Sequence, residues 1–159
     1  MNGLVADILV AEDILKEENA ERLCSFNNIE VYYIPVRKFK TITISFFFID
    51  TLSKDTVSKN ALVPAVLRRG CKSYPTMSDI SLRLEELYGG SFDCGVAKKG
   101  EYHVIYFHTE CIAEKYVADM KDFFKKPFEL IVDIITSPVI ENGIFKREYV
   151  VQEKESLKR

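Results

Sequence analysis

The sequence predicts an α+β fold in which helices cover an antiparallel sheet. Three observations point to it. Strand-like segments come first, followed by two helices, a hairpin and two further helices, an order that suits helices laid on one antiparallel sheet. The segment Thr41–Ile49 sets Thr41, Thr43 and Ser45 on one face and Ile42, Ile44, Phe46 and Phe48 on the other. The 159 residues are 47% hydrophobic and 29% charged, enough apolar matter for a substantial core in one domain or in part of a larger one.

Taken in order, residues 8–23 carry Ile8, Leu9, Ile14, Leu15 and Leu23 among Glu and Lys and read as a short helix. Ile29–Ile34 alternates in part and stops at Pro35, as a strand does. Thr41–Ile49 is the clearest strand. Its second half turns apolar on both faces, so that end is expected to lie under helices. Asn60 caps a helix over Ala61–Leu67 that Arg68-Arg69-Gly70 terminates, with Pro64 just past the first turn. A second helix starts at Ser78 and stops at Gly89-Gly90. Strands over Ser91–Ala97 and Tyr102–His108 flank Lys98-Lys99-Gly100 and form a hairpin. From Tyr116 the apolar spacing is helical to Ser137-Pro138, with Pro127 separating an early turn from the main helix. Phe145–Arg159 reads as a charged helix without a stop signal, which leads us to expect a domain cut short.

Composition narrows the function. The formal net charge is only -2, so a basic nucleic-acid surface is not expected, and neither is disorder. No apolar run approaches the roughly 20 residues of a membrane span. The N-terminus lacks a basic region before its apolar residues, so no export signal is expected. Cys24, Cys71, Cys94 and Cys111 lie 47, 23 and 17 positions apart without a C-x-x-C pair, the pattern of reduced thiols in a cytoplasmic protein.

Candidate chemistry is sparse. His103 and His108 share one strand at an odd separation, which puts them on opposite faces and prevents easy sharing of a metal. There is no G-x-S-x-G elbow, and Gly89, Gly90 and Gly95 follow a helix instead of leading into one, so no phosphate cradle is expected. Lys98-Lys99, Lys125-Lys126 and Arg68-Arg69-x-x-Lys72 read as solvated basic clusters.

Several stretches nevertheless form an ordered series. Val66-Leu67-Arg68-Arg69-Gly70-Cys71-Lys72-Ser73-Tyr74-Pro75 is similar to the "M-L-F-K-G-T-x-x-Y-P" of the insulinase/pitrilysin metallopeptidases, the inverted zincins. Tyr88-Gly89-Gly90-Ser91-Phe92-Asp93-Cys94 resembles their "L-G-G-x-x-N-A", and Ile134–Pro138 resembles their "L-x-N-P" ahead of a charged helix. The resemblance runs from Ile34 to Arg159, about four-fifths of the chain. It implies a processing-peptidase-like α/β sandwich, with residues 1–28 as an N-terminal extension or pairing helix and 29–159 as a truncated first repeat.

Active members of that family carry H-x-x-E-H, two histidines one turn apart that bind zinc and a glutamate that activates the metal-bound water. The resemblance puts Ala61, Pro64 and Ala65 at those three positions, so catalysis and bound zinc are not expected in this chain. The distal third ligand falls on Glu153, with Glu148 as second choice, and Glu153 reads as a solvated helix residue once the histidines are gone. The family's substrate strand would lie beside Asp93, Cys94, Gly95 and Val96. The function implied is a non-catalytic homologue that pairs with an active H-x-x-E-H subunit, or with itself, in handling peptides. Two alternatives remain open: a zinc peptidase with displaced ligands, such as His103 or His108 with Glu101 or Glu110, and a purely structural interaction domain.

Overall fold

In the computed structural model the described residues are 20–117 and 121–158. They fall into two units, one ending at Phe39 and the other beginning at Lys40.

The first unit holds β1 (Glu21–Phe26) and β2 (Ile29–Tyr33), paired antiparallel. Asn27 and Asn28 make the turn at φ +48° and +65°, the left-handed pair that a two-residue hairpin loop requires and Asn tolerates. Leu23, expected at the end of a helix, therefore lies in a strand; the rest of that expected helix, 8–19, lies outside the described residues. The division between units also falls eleven residues later than the 28/29 boundary read from sequence, because Ile29–Tyr33 pairs backward with β1.

The second unit begins with β3 (Thr41–Thr51), then α1 (Val57–Leu67) and α2 (Met77–Glu86). β4 (Ser91–Lys99) and β5 (Tyr102–Ile112) follow, joined through Gly100 at φ +56°. A 3-10 turn at Glu114–Tyr116 precedes α3 (Lys125–Thr136), the small hairpin β6 (Ile140–Glu141) and β7 (Ile144–Phe145), and α4 (Arg147–Ser156). The sheet order is β3-β5-β4, antiparallel throughout, with Phe46 opposite Phe107 and Phe107 opposite Cys94. Directly opposed residues share a face. One face thus collects Ile42, Ile44, Phe46, Phe92, Cys94, Ile105, Phe107 and Cys111, and these meet Leu67, Ile80, Leu87, Phe123, Leu130, Ile131 and Ile134 in a single core. α1 lies against β4 and β5, and α3 against β5. The fold class is the α+β sheet-and-helix sandwich expected.

Several boundaries differ from the sequence reading, among them α3, which starts at Lys125 and takes Pro127 into its first turn where a divider was expected. α1 starts four residues before Ala61, with Thr56 and not Asn60 as its N-cap residue, so Pro64 sits in the helix interior. Its missing N–H deprives the Asn60 carbonyl of a donor, yet the ladder resumes with Arg68 N–H donating to Pro64 O at 3.0 Å. α2 starts at Met77 because Thr76 caps it: Asp79 N–H donates to Thr76 Oγ1 at 3.2 Å and Thr76 N–H donates to Asp79 Oδ2 at 2.9 Å, a reciprocal capping box. α4 begins at Arg147 and ends at Ser156, short of the run from Phe145 to Arg159. Helices also do not cover the far half of β3: Phe47 and Phe48 remain 46% and 45% exposed. β3 is an edge strand, and Phe47 points to the face opposite the core.

Candidate functional site

Ala61, Pro64 and Ala65 lie on α1, where spacing of three and four puts them on one flank. Pro64 is fully buried and Ala61 and Ala65 half-buried. Cys94 of β4 donates its thiol to the Pro64 carbonyl at 3.3 Å, so this flank is bound down onto the sheet. α4 packs against α1 and brings Glu153 toward its C-terminal end. There Glu153 Oε1 meets Arg69 Nε at 3.3 Å, with side-chain exposures of only 17% and 24%.

Arg69 has further partners. Its guanidinium lies 5.4 Å from the centroid of the Tyr149 ring, donates to Gln152 Oε1, and reaches the Met77 sulfur at 3.5 Å. Tyr149 in turn donates its hydroxyl to Pro75 O at 3.2 Å. Arg69 is thus no member of a solvated basic cluster, and Glu153 is no solvated helix residue; both expectations are corrected. The pair was missed because Arg68-Arg69 reads as a helix stop, and only the return of α4 eighty-odd residues later supplies the partner. Glu148 is elsewhere, at the exposed start of α4, paired with Lys146 at 3.7 Å.

These residues do not fit zinc. Two methyl groups and a prolyl ring offer no electron pair, and the remaining carboxylate already faces a guanidinium. His103 and His108 do not replace them. His103 is buried on the core face, while His108 lies on the opposite face, its Nδ1 2.7 Å from Ser45 Oγ. Among the described residues no three His, Cys, Asp or Glu side chains converge as a metal site.

The outer face of the sheet holds a cluster that sequence reasoning overlooked. The His108 ring stacks on Tyr106 at 4.8 Å and meets Phe47 edge-on at 5.5 Å, with Asp93 directly opposite on β4. Burial pushes the His108 pKa down against the opposing pull of Asp93. Strict alternation along β3 and β5 was the signal that could have found it. Serine, histidine and aspartate here do not make a nucleophilic triad. The flanking backbone N–H groups of the central strand are spent on its two neighbours, which leaves nothing to hold an oxyanion.

On β4, Asp93 and Gly95 face outward while Cys94 and Val96 belong to the core face. A Cβ at Gly95 would come within 2.8 Å of the Tyr106 hydroxyl, so the tyrosine lies across this glycine. Among the described residues β4 pairs only with β5, and its other edge carries unpaired backbone groups.

The chain has relatives. The chain is 40% identical over 131 residues to "Probable inactive metalloprotease YmfF" of Bacillus subtilis (strain 168), covering 82% of this chain and 31% of that protein. The resemblance is to a metalloprotease-like protein. The crystal structure of a conserved protein from Enterococcus faecalis V583 superposes with a TM-score of 0.82 at 31% identity, over 88% of this chain and 33% of that one. The chain spans about a third of the length of both relatives. No family model matches it. No helix among the described residues is long and apolar enough to cross a membrane.

Proposed function

We propose that this chain is the first repeat of a non-catalytic insulinase-like metallopeptidase homologue, which pairs with an active H-x-x-E-H subunit in the handling of peptides. The observation that carries this reading is the Arg69–Glu153 pair beside Ala61, Pro64 and Ala65. At the position the resemblance gives to the third zinc ligand, the cation is a guanidinium. The printed name of the Bacillus subtilis relative supports the same inactivity. Zinc belongs to the partner subunit in this scheme. The contribution of this chain is surface: the free edge of β4 at Asp93–Val96 can accept an extended peptide by adding a strand. Unpaired Cys71, Cys94 and Cys111, all buried, support action in the reducing cytoplasm.

The test is metal analysis and peptidase assay of the purified protein alone, then with the active relative of its own source. Expected are no stoichiometric zinc and no turnover alone, with co-purification and cross-linking to the relative. Stoichiometric zinc with peptide turnover by the protein alone overturns the proposal, as does failure to associate with any H-x-x-E-H protein.

A further inference from the structure

α1 has a second flank that the vestigial site does not use. Lys59, Leu62, Val63 and Val66 recur at i, i+3, i+4 and i+7, which aligns them along one stripe of the helix. This stripe, Phe145 of β7 and Leu157 after α4 line an open cleft of about 490 Å3. Leu62, Val66, Phe145 and Leu157 supply apolar surface. The charged groups lining it are all cationic: Lys59, Lys154 and Lys158, with Ser58 beside them.

None of these lysines forms an ion pair with another described residue. Lys154 lies in the last turn of α4 and Lys158 just beyond its end. An apolar cleft bordered by three ammonium groups that pair with no described carboxylate complements one kind of molecule: an apolar chain ending in an anion. We infer that the cleft between α1 and α4 binds a small amphipathic carboxylate, the alkyl chain against Leu62, Val66 and Phe145 and the carboxylate among the lysines. This inference is independent of the pairing proposed above, because the cleft lies on the other flank of α1.

Titration calorimetry of the whole protein with sodium dodecanoate tests it, with dodecan-1-ol and dodecyltrimethylammonium as neutral and cationic comparators, all below their micelle concentrations. Dodecanoate is expected to bind at one site and more tightly than either comparator. Lys154→Met with Lys158→Met keeps the apolar stems and removes the charges; it is expected to weaken dodecanoate about tenfold, the size of a charge-assisted hydrogen bond, and to leave dodecan-1-ol unchanged. Leu157→Asp, at a side chain already 53% exposed and so tolerable to the fold, is expected to abolish dodecanoate binding. Circular dichroism of each variant separates lost binding from lost folding. Absence of saturable binding, equal affinity for the trimethylammonium compound, or binding that survives Leu157→Asp in a folded variant each overturns the inference.

Discussion

Severing the Arg69–Glu153 pair is expected to reveal a coupling above what a surface ion pair gives. At 3.3 Å, two unit charges attract by about 5 kcal/mol for an effective dielectric of about 20. Both side chains are more than three-quarters buried, so desolvation of each offsets most of that attraction. A net coupling of about 1–2 kcal/mol remains, against roughly 0.2–1 kcal/mol for exposed pairs. Glu153→Gln keeps the shape of the side chain and is expected to cost about 1 kcal/mol. Arg69→Met also loses the Tyr149 stacking and the Gln152 bond and strands a buried carboxylate, and should cost about 2–3 kcal/mol. Urea unfolding followed by circular dichroism of the two single variants and the double variant closes the cycle. The double variant should be less destabilised than the sum of the singles by the coupling energy. A coupling below about 0.3 kcal/mol, or one that disappears in high salt as exposed pairs do, refutes the view that Arg69 is the fixed counter-charge of the vestigial ligand.

Gly70→Ala is expected to destabilise by more than about 3 kcal/mol in the same unfolding assay, because its Cβ would lie 2.2 Å from the Pro75 carbonyl oxygen, a backbone atom that cannot turn aside. Burial holds the folded His108 pKa below 6.5, so the unfolded chain binds the extra proton first; stability is full above 6.5 and falls as pH drops through 6.5 toward the lower folded value. Thermal melts between pH 7.5 and 5.5 should show a smaller loss for His108→Asn than for the parent, and equal losses refute the assignment. Burial pushes the thiols of Cys94 and Cys111 up to about 11 and raises that of Cys71, while Cys24 is exposed. A thiol-disulfide reagent at pH 8 should therefore react quickly with one equivalent, lost in Cys24→Ser, and with the others only on unfolding.

Much of the fold was legible because its signals are local. The alternation of Thr41–Ile49 marked β3 and its core face, and Lys98-Lys99-Gly100 marked the β4–β5 turn. Two turns went unread although their chemistry was present: Asn27-Asn28, and Asn142-Gly143 at φ +53° and +79°, the strongest short-range hairpin signal there is. Tertiary facts were not legible. Nothing near Glu153 announces that it is buried against Arg69, and nothing in β3 shows that Phe47 stays exposed beyond the reach of the helices. The positions Ala61, Pro64 and Ala65 could be named from resemblance, but only the packing shows what surrounds them.

α1 is a helix committed to packing. A peptidase needs a carboxylate at position 64 facing solvent and metal; here Pro64 is buried, its carbonyl holds the Cys94 thiol, and its ring removes a hydrogen bond at a cost of about 3 kcal/mol that surrounding contacts must absorb. A glutamate placed there would regain the bond and bury an unpaired charge, the costlier outcome when no metal is near. Glu153, which the resemblance puts at the third-ligand position, already faces Arg69. Under the reading proposed above, a change at any one of Ala61, Pro64 and Ala65 toward H-x-x-E-H disturbs packing or charge balance before it could bring function.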